Sequence, residues 1–184
     1  ITFLTIENET TAYQKYKAGE MDWDTSAPLE MLDEIKLRDD YQTGPQLSSY
    51  YYYLNNENPV LADVRIRKAL TMAIDREELV NKVTKGGEIP SGGYVPSMTG
   101  YEAITGNTFD LAKAQALLAE AGYPNGEGFP KMTLIYNTNE GHKKIAEYVQ
   151  QAWKKNFGIN VELANLEWAT FLDERQSGNF QIGR

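Results

Sequence analysis

The chain has 184 residues, 41% hydrophobic and 24% charged, with no cysteine and a single histidine. That length suffices for one buried core, and the missing cysteine excludes disulfides and thiol catalysis while fitting cytoplasm and periplasm equally. A formal net charge of −8 repels phosphate backbones, so nucleic acid is not an expected partner, and no apolar run approaches the roughly 20 residues that cross a bilayer.

Residues 1–6, Ile-Thr-Phe-Leu-Thr-Ile, predict a strand. A helix follows over about 8–18, with Gly19 able to close it in a left-handed cap. Met21 to Asp24 reads as a short strand, and residues 28–37 as a helix with Pro28 in its first turn, where a missing amide costs nothing. The region of Tyr41 and residues 49–54 read as strands.

Residues 63–80 encode two helices in tandem. Ile66, Ala69, Leu70, Ala73 and Ile74 recur at helical spacing and predict a buried stripe. Asp75 ends the first helix and caps the second, and Glu78, three residues on, is spaced to reach back to the Asp75 amide as in a capping box. Residues 86–108 are broken repeatedly by Gly, Pro, Ser and Thr and predict a long irregular loop. Asp110 caps a helix running to Ala121, with Leu111, Ala114, Leu117, Leu118 and Ala121 on one side and Gly122 and Pro124 as the stop.

Met132 to Tyr136 predicts a strand. The next helix, about 140–156, buries Ile145, Val149, Ala152 and Trp153 before Gly158 ends it, and Ile159 to Leu163 is the strand that follows. Strand, helix and strand in this order predict a crossover unit, hence an α/β domain with a mixed β-sheet and flanking helices. A last helix spans 168–176, and Asn179 to Arg184 reads as a strand cut short, so the chain is expected to be an excised piece.

Several of these stretches, in this order, carry a family resemblance. Besides the block at 63–80, they are Tyr-Lys-Ala-Gly-Glu-Met-Asp at 16–22, Tyr-Tyr-Tyr-Leu-Asn-Asn at 51–56 and Ala-Gly-Tyr-Pro-Asn-Gly at 121–126. Trp-Lys-Lys-Asn-Phe-Gly-Ile-Asn-Val-Glu-Leu at 153–163 and Glu-Trp-Ala-Thr-Phe-Leu-Asp-Glu-Arg at 167–175 complete the set. Together they resemble the periplasmic oligopeptide-binding group within the peptide/nickel class of extracytoplasmic solute-binding proteins.

The resemblance implies that residues 1–184 form a single domain, part of the C-terminal lobe of a two-lobed periplasmic-binding-protein fold of the class with an extra domain. It implies capture of oligopeptides between two lobes and delivery to inner-membrane ABC permease subunits, by a monomer without enzymatic activity, cofactor or metal. The expected location is the periplasm, or alternatively a lipid anchor on the outer face of the cytoplasmic membrane. The same class also carries dipeptides, nickel complexes, haem and sugars, which stay open as ligands.

His142 is read from position alone as a solvated histidine at a helix start; the resemblance implies that it helps hold a peptide's C-terminal carboxylate, which suits a ring nitrogen beside free helix amides. Arg175 and Arg184 read by pattern as surface arginines, Arg175 pairing with Asp173, Glu174 or nothing. The resemblance makes both carboxylate ligands for peptides of different length, a role suited to a planar fork that stays protonated.

In the run Tyr50 to Tyr53 neighbouring side chains alternate between sheet faces, so one set lines core and the other can wall a cleft. Tyr52 is the candidate from that run. Trp168 is either a helix-start aromatic or, by resemblance, a pocket wall. A hydrolase using two of Asp22, Asp24, Glu140 and Glu167 is the reading from another class, and it requires two of them to converge on one cleft.

Overall fold

In the computed structural model, which describes residues 1–44, 46–104 and 106–184, Asn8 opens α1 (Glu9–Lys17) by accepting from the Thr11 amide at 2.7 Å. Lys15 and Lys17 lie in its last turn, where cations suit the helix dipole, and Gly19 leaves it at φ +75°. Pro28 precedes one 3-10 turn (Leu29–Met31) and α2 (Leu32–Ile35), so the helix expected over 28–37 is shorter and split. The tyrosine run contributes only β1 (Tyr53–Leu54).

Asp63 caps α3 (Val64–Met72), whose Ile66, Ala69 and Leu70 are buried. Asp75 caps α4 (Arg76–Glu78), accepting from the Glu78 amide at 2.9 Å. The return arm of the expected capping box is not made. Glu78 instead takes Lys82 at 2.8 Å and the Tyr148 hydroxyl at 2.9 Å, stronger partners than a single amide. The chain then widens into a π-helix (Leu79–Thr84), ended by left-handed Lys85.

Residues 86–108 are irregular apart from a bridge between Met98 and Tyr101; Thr105, within this expected loop, lies outside the described residues. Asp110 caps α5 (Leu111–Glu120). After the turn Pro124–Gly126 come β2 (Met132–Asn137), α6 (Glu140–Phe157), β3 (Val161–Leu166), α7 (Trp168–Gln176) and β4 (Ile182–Gly183).

The sheet order is β1-β4-β2-β3. β2 pairs in parallel with β3 from Met132 opposite Val161 to Asn137 opposite Leu166, and with β4, while β1 runs antiparallel to β4. The expected α/β class with a mixed sheet is therefore what the chain adopts. The main core gathers Ile66, Leu70, Leu118, Leu134, Trp153 and Ile182, all 2% exposed or less, from α3, α5, α6 and one sheet face. Ile135 points the other way by alternation; there α7 contacts β2 and Phe171 is fully buried.

Three expected strands are absent. Residues 1–6 are extended without a ladder, and Ile1, Phe3 and Leu4 are exposed; Met21 to Asp24 and the Tyr41 region are irregular. Alternation and β-branched composition favour an extended chain, but a strand exists only where a partner edge supplies hydrogen bonds.

Candidate functional site

Two parallel strands finish at the same end of the sheet and set up the site. β2 ends at Asn137, and two residues later Asn139 caps α6 by accepting from the His142 amide at 3.0 Å, which seats His142 in the first turn. Arg184 continues β4, its amide donating to the Ile135 carbonyl at 3.1 Å. Its guanidinium is thereby carried to Asn137, and Nη1 donates to Oδ1 at 2.8 Å.

Tyr50 closes the group. Its ring lies under the Arg184 guanidinium, 5.3 Å from Cζ to centroid, and its hydroxyl is 3.3 Å from His142 Nδ1. Tyr52 packs edge-on against Tyr50 at 5.9 Å, with a buried hydroxyl that has no partner among the described residues. This is the carboxyl end of parallel strands, where open α/β sheets place ligands.

Burial, followed by the nearby Arg184 charge, lowers the His142 pKa to about 4, so the imidazole is neutral at physiological pH. Burial likewise raises Tyr50 and Tyr52, which stay protonated. The site therefore holds one permanent cation, one neutral imidazole and two hydroxyls. A carboxylate is the group this set accepts best, since charge-assisted hydrogen bonds to a planar fork are strong and directional.

Arg175 stands elsewhere. Its Cζ lies 5.6 Å from the ring centroids of both Tyr53 and Phe171, and among the described residues it makes no ion pair with Asp173 or Glu174. Trp168 stacks on Phe171 at 5.9 Å and is half exposed. Tyr51 and Tyr94 extend this aromatic group, with Tyr51 hydroxyl 2.8 Å from that of Tyr53. The run thus divides in two: Tyr50, with Tyr52 packed on it, meets Arg184 and His142, whereas Tyr53, with Tyr51 packed on it, meets Arg175.

Of the five expected residues, His142, Arg184 and Tyr52 come together and Arg175 and Trp168 meet through Phe171. The sequence alone does not single out Asn137. Its signal there was faint, an Asn at the end of a strand pattern five positions before the only histidine.

The carboxylate reading fares worse. Glu167 is spent capping α7 and Asp22 is exposed. Asp24 and Glu140 do act on a common neighbour, Glu9, whose pKa is raised by burial and then by these two. Among the described residues, cavities of about 310 and 370 Å³ are lined neither by these carboxylates nor by His142, Arg184 or Tyr50. No described group of three or more His, Asp or Glu side chains could hold a metal.

The fold is a mixed-sheet α/β arrangement with flanking helices. The chain belongs to the bacterial extracellular solute-binding proteins, family 5, the Middle model of which matches residues 1–184.

It is 40% identical over 194 residues to the periplasmic oligopeptide-binding protein OppA of Escherichia coli (strain K12), covering 100% of this chain and 36% of that protein. The periplasmic murein peptide-binding protein MppA of the same organism is also 40% identical, with the same coverage. A crystal structure of a periplasmic oligopeptide-binding protein from Borrelia burgdorferi superposes with a TM-score of 0.93 at 40% identity, over 99% of this chain and 37% of that one. The chain thus spans little more than a third of these relatives. They are binding proteins rather than enzymes.

Proposed function

We propose that this chain is part of the second, C-terminal lobe of a longer periplasmic binding protein that captures oligopeptides and delivers them to the inner-membrane permease of an ABC importer. The fractional coverage of the relatives supports a longer parent protein, and their names support peptide and periplasm. The protein works as a monomer and does no chemistry on its ligand. Among the described residues no helix is long and apolar enough to cross a membrane.

The observation that carries the reading is the convergence of Arg184, His142 and Tyr50 at one sheet end. A peptide lying extended between lobes gains sequence-independent affinity from main-chain pairing, and its charged ends set the register. Arg184 and His142 take the C-terminal carboxylate of one length class. Arg175, with Trp168 as neighbouring wall, takes that of another.

The test is calorimetry on the full-length protein with tripeptides to pentapeptides, each with a free or an amidated C-terminus, beside Arg184→Ala, His142→Ala and Arg175→Ala. Amidation should weaken at least one length class by about tenfold or more, the value of one charge-assisted hydrogen bond, with a similar loss in at least one variant. No heat with any peptide would remove oligopeptides and redirect the search to the other ligands of the class. The isolated chain should bind poorly, since it supplies one wall of the cleft.

A further inference from the structure

Arg184 and His142 are each held by a side chain that no carboxylate needs to touch. The Arg184 fork has several N–H groups, and one of them is committed to Asn137 Oδ1 at 2.8 Å. This bond fixes the rotation of the guanidinium plane and leaves its other donors pointing away from Asn137. Tyr50 adds a second constraint, since its ring supports the same guanidinium from one side.

His142 is constrained through Nδ1. Among the described residues that nitrogen is the acceptor within reach of the Tyr50 hydroxyl. With the ring proton on Nδ1 the hydroxyl hydrogen would have no acceptor there, whereas with the proton on Nε2 both groups are satisfied. The Nε2–H is then the ring's remaining donor. The backbone amide of the same residue is already used by Asn139, so the ring is the part of His142 left to bind.

Resting on the carboxylate reading above, we propose that Asn137 and Tyr50 are positioning residues. Asn137 orients the Arg184 fork, and Tyr50 holds His142 as its Nε2–H tautomer, so that both present donors to one carboxylate. Neither residue needs to contact the peptide. Preorganisation of this kind raises affinity by removing rotamer and tautomer freedom before binding.

Two measurements on the full-length protein test this. Long-range proton–nitrogen spectra without ligand, with the His142 signal identified by its loss in His142→Gln, should show the Nε2–H form; Tyr50→Phe should shift it toward a tautomer mixture. Calorimetry should show that Asn137→Ala cuts the preference for free over amidated peptide by about tenfold, one hydrogen bond's worth, with amidated peptide binding as before. Asn137→Leu, close in volume to Asn but without an acceptor for the fork, should cut that preference equally and serves if Asn137→Ala folds poorly.

A wild-type Nδ1–H ring, or a tautomer indifferent to Tyr50→Phe, overturns the role of Tyr50. An unchanged free-to-amidated ratio in both Asn137 variants, while Arg184→Ala still abolishes it, overturns the role of Asn137 and leaves the anchor intact. A ratio that is already unity in the wild type fails the anchor itself, and the proposal falls with it.

Discussion

The indole Nε1 of Trp153 donates to the main-chain carbonyl of Leu70 at 2.8 Å in the buried core. This bond ties the C-terminal part of α6 to α3, and both residues are almost fully excluded from water. Trp153→Phe keeps an aromatic ring but leaves the carbonyl unpaired and a small void beside it. The expected loss is about 2–4 kcal/mol from the orphaned acceptor and the cavity together, read as a lower urea midpoint at unchanged m-value.

Gly126 sits at φ +75°, and a Cβ there would lie 2.0 Å from the Phe157 carbonyl oxygen at the end of α6. Gly126→Ala should therefore cost about 2 kcal/mol or more, because strain and a backbone clash add. Gly19 has the same φ with nothing within 4 Å of its added Cβ, so Gly19→Ala should cost only about 1 kcal/mol. Thermal melts of the pair separate the two causes.

His142 gives stability a pH slope with a definite sign. Its folded pKa of about 4 lies below the ordinary 6.5, so between these values the unfolded chain binds a proton that the fold rejects. The contribution is present above pH 6.5 and is lost as pH falls toward 4. His142→Gln should flatten this part of a melting-temperature profile, and a nitrogen titration should show no His142 protonation above about pH 5.

Glu9 has the opposite slope. Burial, then Glu140 and Asp24, raises its pKa above 4.5 despite the hydrogen bond from Asn139. Its contribution is therefore favourable below the ordinary value and lost as pH rises through the folded one. Glu9→Gln keeps the acceptor for Asn139 without the charge. It should raise the melting temperature modestly near neutral pH and change it little at about pH 4.

The elements that could be read from the chain are those whose signal is local. α5 and α6 carry a cap, a 3.6-residue stripe and a closing glycine within one stretch, and the crossover from β2 to β3 follows from their order. Residues 1–6 carry as good a strand pattern as β2, yet form no strand, since pairing depends on a distant edge that composition does not encode. The Glu78 arm of the capping box failed for the same reason: Lys82 and Tyr148 outcompete a single amide, and Tyr148 lies 70 positions away.

The site divides similarly. His142 and Arg184 stood out as residue types able to hold a carboxylate, and resemblance supplied their roles. What brings them together, Tyr50 from 92 positions away and Asn137 from a parallel neighbour, is a product of sheet register. The half-burial that neutralises His142 is equally nonlocal; position alone made it a solvated histidine.

Strand parity, rather than distance along the chain, separates the two cations. Tyr50 under Arg184 and Tyr53 beside Arg175 are an odd number of positions apart, so one layer of backbone stands between their partners. With Tyr50 and Tyr52 held in place, inserting one residue between Tyr52 and Tyr53 would turn Tyr53 to their face and take it from Arg175, whereas inserting two would return it to its own face. Changes to the run should accordingly be tolerated in even steps and punished in odd ones.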